Sequence, residues 1–187
     1  EAAGRIAPVE DEVQRRMYDE AVDRLTAAGL EHYELSNFAR PGRRSRHNLA
    51  YWHNRPYVGL GPAAASFVRG VRSTNAPDLS AYCTSLSAGR LPPGTSERLE
   101  GLEAAGEALM LGLRLTDGVD RAAFAARYGI DPVTAFAEPL RRHAALGNVQ
   151  VEHRRLRIPP GRMLLSDLVL SNIVAWAAWQ EDRRNSK

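Results

Sequence analysis

The spacing of apolar residues predicts a helix followed by a strand at the start of the chain. Apolar residues recur every three or four positions after Pro8, and Gly29 ends this pattern. The inward-facing positions of this predicted helix are Val13, Met17, Ala21, Leu25 and Ala28. Residues 30–35 are predicted to form a short strand. After a long loop, the short apolar run at 57–60 indicates a buried strand. Helix–strand units of this kind build (β/α) barrels, so the fold predicted for residues 1–90 is an α/β barrel segment.

Residues 68–72 predict a small hairpin or the continuation of a strand. A short helix is predicted from Pro77 to Ser87. Its inward positions are predicted to be Leu79, Tyr82, Cys83 and Leu86. Cys83 is interpreted there as a small buried apolar residue with no redox role.

Residues 88–95 mark the predicted boundary between two domains, because two glycines and two prolines fall within six residues. Beyond the boundary, apolar spacing predicts a helix from Ser96 whose inner face includes Leu109 and Leu113. Further elements are predicted as helices over 120–128 and 132–145, a β-hairpin over 149–158 and a closing helix over 162–180. Three helices, a two-stranded wing and a closing helix predict an α+β, winged-helix-like domain over residues 94–187.

Composition narrows the functional classes. The formal net charge of the 187-residue chain is only +3, which is too small to imply nucleic-acid binding by itself. A single cysteine excludes an intrachain disulfide framework and suits a reducing, cytoplasmic location. The sequence has no eighteen-residue apolar run, so no membrane span is predicted.

The stretch from Arg46 to Phe67 carries the candidate chemistry. It begins with the sequence Arg-His-Asn-Leu-Ala-Tyr-Trp-His, which we place in a loop, and four arginines precede or open it, at positions 40, 43, 44 and 46. A short apolar run follows and ends in Gly-Leu-Gly-Pro. Gly59 and Gly61 would let the backbone approach a ligand at the end of a strand. The alternative is that the two glycines only permit a tight turn.

Three motifs in this order resemble those of the radical-SAM proteins related to oxygen-independent coproporphyrinogen III oxidase. They are Tyr-Glu-Leu-Ser-Asn-Phe-Ala-Arg-Pro-Gly at 33–42, His-Asn-x-x-Tyr-Trp at 47–52 and Tyr-Val-Gly-Leu-Gly-Pro at 57–62. The second motif resembles the haem-chaperone branch of the family. The resemblance extends from about residue 8 onward.

The resemblance implies cofactors that this chain could hold only in part. Family members bind a [4Fe-4S] cluster and S-adenosylmethionine through a Cys-x-x-x-Cys-x-x-Cys loop, whereas Cys83 is the one cysteine here. We therefore interpret the chain as the C-terminal part of a longer protein, comprising the last piece of a partial radical-SAM barrel and a winged-helix-like domain. The missing N-terminal barrel segment would be its first partner.

The resemblance also implies site residues. His47, Asn48, Tyr51 and Trp52 would bind haem, with His47 as a ligand to the haem iron. His53 is a second, weaker candidate, and the histidines at 32, 143 and 153 are assigned to the fold or to solvent. From the residues alone, the motif could equally anchor its loop by hydrogen bonds and aromatic packing.

Gly59, Gly61 and Ala65 would border the S-adenosylmethionine pocket. Relatives usually have Gly-Pro-Gly-Ala-His-Ser where this chain has Gly-Pro-Ala-Ala-Ala-Ser at 61–66. Ala63 thus replaces a glycine and Ala65 a histidine, so contacts of that imidazole are not expected here.

Three functions follow from these patterns. The first is a segment of a haem chaperone that binds haem and passes it to apoproteins, which could include membrane-bound ones. The second is a segment of an anaerobic coproporphyrinogen III oxidase, inactive alone because it lacks the cluster motif. The third is a nucleic-acid-binding module with Arg154, Arg155 and Arg157 on its wing. An acid and a proline, Asp131-Pro132, stand where a recognition helix would contact bases, so no nucleic-acid partner is predicted.

Overall fold

The computed structural model describes residues 9–186, and their secondary structure alternates short helices with short strands. The helices are α1 (Asp11–Ala27), α2 (Arg46–Trp52), α3 (Leu79–Ser87), α4 (Gly101–Gly112), α5 (Arg121–Tyr128), α6 (Pro132–Ala135), α7 (Ala137–Ala145) and α8 (Ser166–Asn185), with a 3-10 helix at Pro160–Leu165. The strands are β1 (Glu31–Glu34), β2 (Asn37–Ala39), β3 (Ala65–Val68), β4 (Val71–Asn75), β5 (Gly94–Glu97), β6 (Val119–Asp120), β7 (Gln150–Val151) and β8 (Arg155–Arg157). The predicted helix start at Pro8 lies outside the described residues.

The strands form three small antiparallel sheets. β1 pairs with β2, β4 lies between β3 and β5, and β8 lies between β6 and β7. All named strand pairs within residues 9–186 are antiparallel, so the parallel pairing of a (β/α) barrel is not among them. β5 begins inside the predicted domain boundary and pairs with β4. The division into residues 1–90 and 94–187 stays a prediction.

The hydrophobic core lies in the second half of the chain, where α4 packs against α8. Leu109 and Leu113 of α4 are fully buried, as their spacing predicted. Phe136 and Ile173 are fully buried beside them. Burial of each such side chain contributes about 1.5–3 kcal/mol. A Cβ added at Gly106 would lie 2.8 Å from Cβ of Ala177, so the two helices approach as closely as glycine allows.

The first half contributes little to this core. Met17 is 63% exposed and α1 has no buried residue, so its predicted inward face is wrong. Tyr18 does pack against the core, and its hydroxyl donates a hydrogen bond to the Leu35 carbonyl at 3.0 Å. Helix α3 forms where predicted, but Leu79, Cys83 and Leu86 are exposed. Both helices form where their apolar spacing predicts them. Their predicted inward residues are exposed because both helices lie at the surface of the described chain.

The structure corrects several of the predicted elements. The predicted loop over 36–56 contains β2 and α2. Residues 57–60 form no strand: Tyr57 makes a single bridge with Phe67, and the chain then turns. The helix predicted from Ser96 begins at Gly101, because 94–97 pair with β4 instead. The predicted helix over 132–145 is split at Phe136, and the β7–β8 hairpin forms as predicted. The last helix runs over Ser166–Asn185 instead of 162–180, and a 3-10 helix at Pro160–Leu165 precedes it.

Helix α2 is held against the second half of the chain by α5. Arg127 donates hydrogen bonds from its guanidinium to the carbonyls of His53 at 2.9 Å and Asn54 at 2.6 Å. These carbonyls follow the last turn of α2, where the partial negative charge of a helix end favours a cation. None of the helices in the described part of the chain is long and apolar enough to cross a membrane.

Replacing Arg127 with Met should destabilise the protein by about 1–2 kcal/mol, because two hydrogen bonds from a charged donor are lost. The measurement is urea-induced unfolding. The matched control is Arg141→Met on α7. Among the described residues Arg141 forms an ion pair with exposed Glu138, one turn away on the same helix. A surface pair of this kind contributes about 0–0.5 kcal/mol to stability. Equal losses in the two variants would contradict this role for Arg127.

Ala63→Gly should stabilise the protein by about 1 kcal/mol. Ala63 has a φ of +56°, a left-handed backbone conformation in which a Cβ atom costs free energy. Glycine avoids this cost, and the gain exceeds the additional conformational entropy that glycine loses on folding. Thermal unfolding measures the gain. Ala64→Gly is the control, since Ala64 is not left-handed and should lose stability on the same change.

Candidate functional site

The His-Asn-x-x-Tyr-Trp motif lies on helix α2, not in a loop as predicted. Ser45 begins the helix by accepting a hydrogen bond on its hydroxyl from the Asn48 amide at 3.3 Å. The helix ends at left-handed Asn54, where the Arg55 amide donates to the Ala50 carbonyl at 2.8 Å. Both ends of this seven-residue helix are therefore capped by its own sequence.

One face of α2 carries His47 and Tyr51. Their rings meet edge to face with centroids 4.8 Å apart, and Tyr51 meets Tyr57 in the same way at 4.4 Å. Tyr57 in turn lies 6.4 Å from the ring of Phe67 on β3. His47 is exposed at the solvent end of this aromatic series. The series orients the imidazole and leaves it accessible.

A different face of α2 carries Trp52. The guanidinium of Arg114 lies over its indole at 5.6 Å from the ring centroid. Its Nε1 is buried and has no hydrogen-bond partner within residues 9–186. The structure therefore separates the predicted haem residues. His47 and Tyr51 share one face of α2, and Trp52 lies on another. Asn48 is half-buried.

The two glycines predicted to border a nucleoside pocket differ in their surroundings. A Cβ at Gly59 would lie 2.1 Å from the Ala65 carbonyl oxygen, so this glycine accommodates the chain's own backbone. Gly61 is open on that side, with no described atom within 4 Å of an added Cβ. Its amide donates to the Tyr82 hydroxyl at 3.0 Å, and its carbonyl accepts from Asn75 at 2.9 Å. A pocket at Gly59, Gly61 and Ala65 stays a prediction.

A cleft of about 460 Å³ lies between α2 and the second half of the chain. Leu49, Trp52 and His53 line it from the α2 side. Its apolar lining on the opposite side is formed by Ala108, Gly112, Leu115, Val119 and Phe124. The sequence did not reveal this cleft, because its two sides are separated by about fifty residues of chain and only the α2 side belongs to a recognisable motif.

Charged side chains surround the cleft. Arg44 pairs with Asp117 at 2.5 Å and with Glu31 at 3.1 Å, and these hydrogen bonds raise its pKa. Burial lowers the pKa of His53, and the neighbouring charge of Arg55 lowers it further.

The remaining histidines belong to the fold or to the surface. His32 stacks on Phe38 with centroids 4.5 Å apart, and His143 is 2% exposed. His153 is exposed at the turn of the β7–β8 hairpin.

The residues present do not fit an iron–sulfur cluster. Cys83 is the single cysteine and is exposed on α3, whereas a cluster requires several thiolates. No group of three His, Cys, Asp or Glu side chains within the described residues could hold a metal ion. The side chains of the described residues therefore do not supply the ligands of such a cluster.

Comparison with known proteins identifies relatives along most of the chain. Residues 99–164 match the HemN C-terminal domain. Heme chaperone HemW from Bacillus subtilis is 34% identical over 126 residues, which cover 67% of this chain and 33% of the relative. The same-named protein of Synechocystis is 42% identical over 123 residues, covering 64% and 29%, and that of Mycobacterium tuberculosis H37Rv is 31% identical over 173 residues, covering 91% and 42%.

A solved structure shares the fold. Coproporphyrinogen III oxidase (HemN) from Escherichia coli, described as a radical SAM enzyme, aligns with a TM-score of 0.65 at 18% identity, over 90% of this chain and 42% of its own. The chain thus spans less than half the length of these relatives. The family resemblance predicted from the three motifs is confirmed: the chain is similar to HemW-type radical-SAM proteins and fits their C-terminal part.

Proposed function

We propose that this chain is the C-terminal segment of a haem chaperone that binds haem and passes it to apoproteins. The observation that carries the proposal is the placement of His47 on a capped helix with its imidazole exposed to solvent. An imidazole nitrogen is a common axial ligand to haem iron. The relatives named as heme chaperones, at 31–42% identity, support the same assignment.

The charges near His47 suit the two propionates of haem. Arg40, Arg43 and Arg46 are exposed close to it in sequence, whereas Arg44 is engaged by Glu31 and Asp117. Guanidinium groups bind carboxylates by paired, charge-assisted hydrogen bonds. Three of the four arginines predicted to flank the motif are thus open to an anionic partner. Tyr51 fixes the orientation of the His47 ring from the same face of α2.

The rest of the architecture is proposed as follows. Residues up to the first sheets would be the last piece of a partial radical-SAM barrel, and α4 to α8 with the β6–β8–β7 sheet would form a winged-helix-like domain that covers its mouth. The cluster ligands would lie in a further segment of a longer protein. S-adenosylmethionine would approach Gly61 and Ala65. The cytoplasmic location and the haem-accepting apoproteins are also proposals.

The alternative is a segment of a coproporphyrinogen III oxidase, the activity named for the solved structure of similar fold. The His-Asn-x-x-Tyr-Trp motif and the higher identity to heme chaperones favour the chaperone. Nucleic-acid binding is less favoured, because Arg157 on the wing is neutralised by Glu152 at 2.9 Å. Arg155 donates to the Asp117 carbonyl at 2.8 Å and keeps its charge.

His47→Ala should weaken haem binding by about tenfold or more, because the axial ligand is lost and only ring packing and propionate contacts remain. A titration of the protein with ferric haem, followed by the position and intensity of the Soret band, measures the effect. His153→Ala is the matched control, since that imidazole is also exposed but lies on the wing. Identical spectra for wild type and His47→Ala would exclude His47 as the ligand.

A further inference from the structure

The cleft behind helix α2 carries an excess of positive charge that the fold does not neutralise. Four arginines line it, at positions 44, 55, 127 and 155, against two aspartates, at 117 and 120. Asp117 already pairs with Arg44, and Asp120 caps α5 by accepting from the Ala123 amide at 2.9 Å. Within residues 9–186, Arg55, Arg127 and Arg155 have no carboxylate at ion-pair distance. An anionic ligand would therefore be favoured in this cleft.

A second observation is the indole of Trp52. Its Nε1 is shielded from solvent and lacks a hydrogen-bond partner among the described residues, although a buried donor normally has one. Trp52 is also one of the residues that line the cleft. The donor itself is not open to the cleft, so Trp52 contributes the apolar surface of its ring to the cleft wall.

The lining opposite α2 restricts the shape of the ligand. The cleft walls combine small residues, Ala108 on α4 and Ala123 on α5, with the aromatic residues Trp52 and Phe124. Aromatic and small apolar side chains together with charged groups are typical of sites for organic anions, and about 460 Å³ lies within the range of volumes of such sites.

We propose that the cleft between α2, α4 and α5 is a second binding site, which takes a tetrapyrrole carboxylate through its ring and its acidic side chains, independently of iron. The assignment to tetrapyrroles rests on the proposed function, whereas the preference for an organic anion rests on the cleft itself. His47 lies on another face of α2, so the cleft and the exposed imidazole are separate sites.

Metal-free protoporphyrin IX tests this proposal, because without iron it cannot coordinate His47. The change in its absorption on titration with the protein gives the affinity. Ala123→Trp should weaken binding by about tenfold or more, since the indole would occupy the cleft. Ala126→Trp is the matched control: it adds the same side chain to an exposed position of α5 outside the cleft, and should bind as wild type does. Circular dichroism of both variants checks that α5 is retained.

The contribution of charge is tested separately with the variant Arg55→Gln. Within the described residues the Arg55 side chain makes no ion pair, so its replacement breaks none. It should weaken protoporphyrin binding about threefold to tenfold, and added salt should reduce the difference from wild type. Equal affinities of Ala123→Trp and Ala126→Trp, or no binding of protoporphyrin by the wild type, would overturn the cleft proposal. Haem binding that depends on His47 would then still stand. The opposite pair of results is also possible: Ala123→Trp abolishes protoporphyrin binding, and His47→Ala leaves the haem spectrum unchanged. The cleft proposal would then stand, and His47 would be excluded as the haem ligand.

Discussion

The site depends on the contact between the guanidinium of Arg127 and the last carbonyls around α2. A seven-residue helix has too few internal hydrogen bonds to be stable alone, so its caps and its tertiary contacts decide whether it forms. Ser45 and Asn54 cap it locally, and Arg127 joins its end to α5, whose Phe124 belongs to the hydrophobic core. This contact orients α2, so that Trp52 and His53 line the cleft and His47 remains outside it.

Local patterns predicted the second half of the chain well. The apolar spacing of α4, the cap and glycine that bound α5, and the hairpin of β7 and β8 are all visible in short windows of sequence. The first half was predicted less well, because its elements depend on partners distant in sequence. A run such as 57–60 is apolar and compatible with a strand, yet pairing with β3 is limited to the bridge at Tyr57. Likewise, residues 94–97 look like a helix start but complete a sheet with β4.

Part of the candidate site could be predicted from the sequence. The motif at 47–52 and its flanking arginines could be recognised, and their spacing would have placed His47 and Tyr51 on one face had the segment been predicted as a helix. The cleft could not be predicted, because it arises where α2 meets α4, α5 and the β6–β8 strands. Which arginines are neutralised is also a tertiary property: Arg44 meets Asp117 across seventy-three positions of sequence.

The exposure of the imidazole at 47 has a kinetic consequence. A metal ligand enclosed by protein releases its cargo only after the surrounding structure opens, whereas a ligand on the outer face of a short helix can be displaced directly by a competing side chain from another molecule. Were His47 to hold haem as proposed, the group would remain accessible to a competing side chain of an acceptor protein, and it could be exchanged without opening of the fold. The same geometry that limits how tightly a porphyrin can be held would thus shorten its residence time.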